Sequence, residues 1–375
     1  MAPTALSASP ALDPRRYGDA ELARHLLTLR GEQWIGGEAT GDPYALLLRG
    51  REPASVFPRL WELPDVHRST TGAWVTARHA TASAALADPR LAPGPAGQAL
   101  VVVPGLLDQD APPPVPEPDA AWVGRRCQDL VEAVGDGETD VVSELARPLA
   151  RDCVRELLGL TPREAESAPE GLVDAQLCPP PLRTARALVH AADALRHRLT
   201  GPGELALWAL GTDTAVRVMA HAVALRLEAG GTRSGSATAS ELPSAHAAAV
   251  DEALRLEPPV RFEPRVARAS LTLGGVGIES GEQVVIAVQA AGRDPRVHVE
   301  ADAFRPGRQT RGNAPRPPWG PAVDAYVPMA RLLAATLLAE LDHRFPRARL
   351  VEPLVRRCRA PVTGGPVRLR AVLSR

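Results

Sequence analysis

The sequence predicts an α+β fold that is mostly α-helical and carries a small β-region, and three observations lead there. Apolar residues recur at helical spacing over most of the chain, most strongly from Glu204 to Glu228. Short alternating runs with glycine turns are concentrated between Val266 and Val288. The order of helices, small sheet and final helix, with no internal repeat, points to one domain spanning residues 1–375.

Taken in order, residues 1–18 are rich in Ala, Pro and Ser and are expected to be disordered. Leu22, Leu26, Leu27 and Leu29 predict a helix over 19–30, stopped by Gly31. A loop with Trp34 and Gly41-Asp42-Pro43-Tyr44 follows, in which Asp42-Pro43 suits a turn. Val66 to Thr76 is a hairpin around Thr70-Thr71-Gly72-Ala73, and 80–88 is a helix closed by Pro89. Proline density from 92 to 120, including Pro112-Pro113-Pro114, rules out helix or central strand and predicts a long surface loop.

Helical periodicity returns over 121–134, 139–158 and 183–199. The segment 204–228 is apolar on most sides, so it belongs in the middle of the domain. A Gly/Ser/Thr loop over 230–240 precedes a helix over 245–256 that ends before Pro258-Pro259. Strands with turns at Gly274-Gly275 and Ser280-Gly281 fill 266–288. A second Pro-rich loop spans 306–322, a helix runs from 327 to 343, and 355–373 is strand-like.

Composition excludes several function classes. The net charge of -1 and pI of 6.8 give no electrostatic reason to bind nucleic acid or an anionic membrane. Mean hydropathy is -0.10 and no apolar run reaches the roughly 20 residues of a membrane helix. The N-terminus has no basic patch followed by an apolar stretch, so no secretory signal and a cytoplasmic location are expected. All 43 basic residues are arginine, a composition that carries no mechanism. Cys127, Cys153, Cys178 and Cys358 form no CxxC pair and no zinc-like spacing, and are read as small buried hydrophobes rather than ligands.

Chemistry-bearing motifs cluster in the second half. Glu252 and Arg255 stand three apart on one helix face, followed by Pro258-Pro259, Arg265-Val266-Ala267, Gly274-Gly275, Arg293-Asp294-Pro295 and Phe304-x-Pro306-x-Arg308. This order resembles the C-terminal half of a bacterial cytochrome P-450. The resemblance implies a cytochrome P-450-like fold in which Glu252, Arg255 and Arg308 form a buried ion-pair network, one carboxylate between two guanidinium forks.

In that family the haem-ligand loop reads FGxGxHxCxG just before the last long helix. Counting back without gaps from Arg344-Phe345-Pro346 through Ala330-Arg331-Leu332 lands the ligand position on Asp324. The same register puts Pro317 and Pro318 at the Phe and Gly, keeps Gly320, and places Ala322 and Tyr326 at the His and the final Gly. No cysteine lies between Cys178 and Cys358. A carboxylate is a poorer donor than the thiolate that favours O–O cleavage, so the resemblance implies a fold without its cysteine ligand loop and without monooxygenase activity. Asp213-Thr214 looks like the family's oxygen-activating acid–alcohol pair and is read as a remnant that bonds to backbone or water. Arg126, four residues after Trp122, and Arg265 stand where contacts to haem propionates are expected by resemblance, and either arginine equally suits an ordinary ion pair.

A narrower resemblance covers nearly the whole chain. Leu29-Arg30-Gly31-Glu32-Gln33-Trp34, Gly41-Asp42-Pro43-Tyr44, Leu47-Leu48, the lost cysteine and Val355-Arg356-Arg357-Cys358-Arg359-Ala360-Pro361-Val362 look like the P-450-derived auxiliary proteins of antibiotic glycosyltransferases. That resemblance implies no cofactor and no catalytic residue of its own. It implies a helper that binds, stabilises and activates a deoxysugar glycosyltransferase acting on a polyketide aglycone, with Trp34 and Tyr44 as candidate contacts in the segment 26–50. Two alternatives stay open: a haem-binding enzyme with a non-cysteine ligand, and a protein that carries the aglycone.

Overall fold

The computed structural model describes residues 12–94, 114–161, 171–196, 199, 201–230, 242–308, 321–357 and 360–375. In chain order the α-helices are α1 (Asp19–Trp34), α2 (Pro43–Leu48), α3 (Pro53–Glu62), α4 (His79–Ala87), α5 (Ala120–Val134), α6 (Arg147–Leu158), α7 (Asp174–Leu177), α8 (Leu182–Arg196), α9 (Pro202–Ala206), α10 (Thr212–Glu228), α11 (Leu242–Leu256), α12 (Val288–Gly292), α13 (Pro321–Asp324) and α14 (Val327–Arg344). The strands are β1 (Val66–Arg68), β2 (Trp74–Thr76), β3 (Leu91–Pro93), β4 (Gly137–Asp140), β5 (Glu263–Ala267), β6 (Leu271–Leu273), β7 (Val276–Ile278), β8 (Gln283–Ile286), β9 (Arg349–Leu350), β10 (Val355–Arg356), β11 (Pro366–Arg368) and β12 (Arg370–Leu373). None of the described helices is long and apolar enough to cross a membrane.

The core is built on one helical rod. α9, a π turn at Leu207–Gly211 and α10 run on without a break, and Trp208, Leu210, Val216, Met219 and Val223 are all buried. Such a rod is stable only when other helices cover every side, which α14, α11 and α6 do. The π turn falls near the start of the stretch whose periodicity predicts an uninterrupted α-helix; inserted turns of this kind gather at functional sites. A five-stranded sheet has the order β1-β2-β8-β5-β3, with β2 and β8 parallel and the other pairs antiparallel. β4, β12 and β9 form a second sheet, and β6–β7 and β10–β11 are two-stranded.

The structure differs from the sequence expectations at several edges. α1 passes through Gly31 into a π turn at Ile35–Ala39. Space around Gly31 is open, so a helical glycine there costs only about 1 kcal/mol relative to alanine and does not stop the helix. The break comes ten residues later at Gly41, whose φ of 71° suits a residue without a side chain. Asp42 then caps α2, accepting from the Ala45 amide at 3.1 Å, with Pro43 at its first position. Of the segment expected to be disordered, residues 12–18 form a 3₁₀ turn at Pro14–Arg16 capped by Asp13, with Leu12 buried, while 1–11 lie outside the described residues. Leu91–Pro93, at the start of the first expected loop, pairs with β5, and 95–113 are outside the described residues. So are 231–241, which hold most of the expected Gly/Ser/Thr loop, and 309–320, which hold most of the second Pro-rich one. At the start of the helix expected over 139–158, Thr139 instead lies in β4, and the helical part begins with a π turn at Val142–Ala146. Val288, expected to end a strand, starts α12.

Candidate functional site

The end of α11 and the loop after α12 meet around one carboxylate. Arg255 donates Nε to Glu252 Oε2 and Nη2 to Oε1, both at 2.8 Å. Arg308 adds Nε to Oε1 at 3.0 Å, and the Arg305 amide donates to the same oxygen at 3.0 Å. The fold thus brings Glu252, Arg255 and Arg308 together. The guanidinium groups are also used as backbone clamps: Arg255 donates to the carbonyls of Gly292 (2.9 Å) and Ala301 (2.7 Å), and Arg308 to those of Val299, Glu300 (3.1 Å) and Ala303 (2.6 Å). Burial acts to raise the pKa of the Glu252 carboxyl, but the four donors outweigh it and hold the group below its ordinary value. Gly292 is needed for close approach, since a Cβ there would lie 2.6 Å from the Arg255 carbonyl oxygen. Beneath the network, buried His298 stacks edge-on to His79 with ring centroids 6.0 Å apart, and burial pushes its pKa down to about 4.

The expected haem-ligand position lies just before the last long helix. Asp324 ends α13, half-buried; Pro317, Pro318 and Gly320 of the same register lie outside the described residues. Two residues on, Tyr326 is 1% exposed and its ring packs on the π turn, where a Cβ on Gly211 would be 3.2 Å from Tyr326 Cδ1 and 3.4 Å from Met329 Cε. A flat group placed between the rod and the start of α14 at this level has to displace that ring. Close by, Glu263 is buried beside Arg265 at 3.3 Å; burial raises its pKa to about 7, Arg265 opposes the rise and the charge of Asp324 adds to it. Among the described residues no group of three or more His, Cys, Asp or Glu side chains could hold a metal ion.

The remaining candidates separate. Asp213 pairs with Arg217 one helical turn on, and Arg217 also donates to the Pro259 carbonyl at 2.7 Å, so the acid of the expected acid–alcohol pair serves an internal ion pair. Thr214 is buried in α10. Arg126 binds Asp152 at 2.7 Å, joining α5 to α6, and Trp122 packs half-buried against the core. Arg265 pairs with Glu263, whose carboxyl feels the charge of Asp324. Of the two suggested partner contacts, Trp34 is exposed (53%), with the Arg49 guanidinium 5.8 Å from its ring centroid. Tyr44 is corrected: it is 2% exposed and stacks edge-on to Phe262 at 5.4 Å, because α2 is buried along its whole length. Leu27 and Ile35 complete the exposed apolar stripe with Trp34.

Sequence reasoning missed a second buried hub. Glu257 takes Arg261 (3.2 Å), Arg293 (3.2 Å) and Arg356 (3.3 Å). Burial acts to raise the pKa of its carboxyl, and the three guanidinium groups overcome that and hold it down at about 2. His221, 3.5 Å away, is driven by burial down to about 3 and stays neutral. Glu257 directly follows the helix that carries Glu252, and its three arginines come from separate segments, which is why no local pattern announces it.

A family model described as cytochrome P450 matches residues 239–321. The chain is 33% identical to Protein AknT of Streptomyces galilaeus, over 98% of this chain and 99% of that one, and 33% identical to Protein DesVIII of Streptomyces venezuelae over 94% of each. It is 31% identical to the cytochrome P450 family protein EryCII of Saccharopolyspora erythraea, over 92% and 96%. Among solved structures, a mutant of P450 EryK in complex with erythromycin B superposes with a TM-score of 0.68 at 22% identity, covering 88% of this chain and 98% of that one. The fold is therefore that of a cytochrome P450.

Proposed function

The chain belongs to the cytochrome P450 family, in the group that contains AknT, DesVIII and EryCII, and from that membership we propose that it works without haem, as a non-catalytic helper that binds, stabilises and activates a glycosyltransferase which moves a deoxysugar from a nucleotide sugar to a polyketide aglycone. One observation carries the reading: Tyr326 lies against Gly211 while the Glu252, Arg255 and Arg308 frame is intact. A thiolate-ligated haem does not fit the residues present, since the register offers iron the Asp324 carboxylate in place of sulfur and the ring of Tyr326 takes the space beside the rod. The fold is kept and the chemistry of the family is not.

A helper of this kind acts by differential affinity. If it binds the folded, active transferase and neither the unfolded chain nor the inactive form, it raises the population of the active state by that difference alone. The stripe of Leu27, Trp34 and Ile35 is the surface we assign to the contact; a large exposed aromatic beside aliphatic neighbours is the residue type that anchors interfaces. The test is to assay a transferase encoded beside this protein with and without it. Turnover and thermal midpoint of the transferase are both expected to rise, Trp34→Ala to reduce the gain, and an unchanged rate with an unchanged midpoint refutes the proposal.

A further inference from the structure

A cleft of about 180 Å³ opens between the α2–α3 junction and the chain near its C-terminus, away from Tyr326, and four arginines line it: Arg51, Arg261, Arg356 and Arg357. That is well above the roughly 10–15 Å³ needed to admit one water, so several fit. The counter-charge nearby is shared among several arginines, and Glu228 also feels Arg356. Glu52 is the carboxylate on its wall, and behind it Glu257 is shared by Arg261 and Arg356 as well as Arg293, which takes Asp302 too at 2.8 Å. Arg51 leans on Glu38 at 3.0 Å with its side chain 58% exposed, and the neutral His221 adds no charge. A concave wall with surplus positive charge concentrates anions.

Two features make this a built site rather than a basic surface. The Arg261 guanidinium lies flat on Gly364, where a Cβ would sit 2.6 Å from its Cζ, and Glu257 fixes the other side, so its fork is held before any ligand arrives. Gln289 is 2% exposed and lines the same cleft. Its backbone N–H donates to the Arg261 carbonyl (3.3 Å) and its side-chain amide nitrogen to the Leu256 carbonyl (3.2 Å), while its side-chain oxygen has no partner. That oxygen is closed off from solvent, so a ligand hydroxyl reaches it only when the cleft wall gives slightly, and doing so satisfies a buried acceptor.

We propose that this cleft binds a hydroxylated phosphate monoester, the chemistry of a sugar phosphate, with the phosphate on the arginines and a hydroxyl donating to Gln289. Calorimetric titration of the full chain with glucose 1-phosphate, inorganic phosphate and glucose tests it. The ester is expected to bind, phosphate to bind more weakly, and glucose not to bind. Arg356→Gln and Arg51→Gln are each expected to weaken the ester by about tenfold, the scale of one charge-assisted hydrogen bond, and Gln289→Leu to bring the ester down to the level of inorganic phosphate. Absence of binding by the ester, or phosphate binding as tightly as the ester, overturns the proposal. So does affinity unmoved by both arginine substitutions. If a variant does not fold, the wild-type affinity itself decides: it must fall as sodium chloride is raised, and independence of salt overturns the assignment.

Discussion

Tyr326 is the residue on which the haem-free reading turns, and its removal has a calculable cost. The ring is 1% exposed, belongs to the main core and touches the π turn of the rod at Gly211. Truncating a fully buried aromatic removes its transfer free energy and leaves a cavity, so Tyr326→Ala is expected to destabilise the protein by about 3–5 kcal/mol. Tyr326→Phe keeps the volume and is expected to cost under about 1.5 kcal/mol. Urea unfolding followed by circular dichroism measures both. The spectroscopic counterpart uses Asp324→Cys, which restores sulfur at the expected ligand position but leaves the ring in place. Titration of that variant with haem is expected to give no thiolate–haem absorption. A cost below about 1 kcal/mol for Tyr326→Ala, far under the range for a filled site, or stoichiometric haem capture by Asp324→Cys alone, refutes the argument that this side chain occupies the cofactor's place.

Glu252→Ala strands two buried guanidinium groups and is expected to cost about 3–5 kcal/mol in urea unfolding, whereas loss of the exposed pair Arg90–Asp88 should be hardly measurable. Gly292→Ala drives a methyl against the Arg255 carbonyl and is expected to cost about 1–3 kcal/mol by the same assay, the usual scale of overpacking. Glu263 has a folded pKa raised from 4.5 to about 7, so the native state binds the extra proton between those values; its contribution falls as pH rises through that window, by about 3 kcal/mol, and Glu263→Gln should flatten the fall relative to wild type in melts across the same window. His221 behaves in the opposite sense: its pKa is lowered from 6.5 to about 3, the unfolded chain takes the proton first, and stability is lost as pH falls through that range, a loss that His221→Gln should remove.

Local pattern makes the helices readable in the sequence, and the resemblance to the P-450 family makes the ion-pair frame so. Glu252 and Arg255 share a helix face by spacing, and Phe304-x-Pro306-x-Arg308 follows in an order that brings Arg308 to them. The hairpin at Val66–Thr76 was legible because its turn residues and strand residues lie side by side in the chain. What stayed hidden is tertiary. Tyr44 reads as an apolar residue in a loop, and only the packing of α2 on Phe262 shows that it faces inward. Gly31 and Gly41 look alike in sequence; open space at one and a positive φ at the other decide which ends the helix. The Glu257 hub collects arginines from 261, 293 and 356, and no spacing rule joins positions that far apart.

The two halves of the old site have different reasons to persist. Arg255 and Arg308 spend most of their donors on the carbonyls of Gly292, Val299, Glu300, Ala301 and Ala303, so they fasten the irregular segment after α12 to α11 whatever occupies the ligand position. Removing either partner leaves a buried charge and several backbone acceptors unsatisfied, a cost that acts on folding directly. Once sulfur is lost at the ligand position, an empty porphyrin space is a void, and a void in a packed core is destabilising in proportion to its volume. Filling it from the nearest backbone, as the ring of Tyr326 does against Gly211, recovers that energy. On the haem-free proposal, a frame held by backbone clamps beside a space taken by a side chain is the physical signature expected when selection acts on the folded body and its surface rather than on an iron centre.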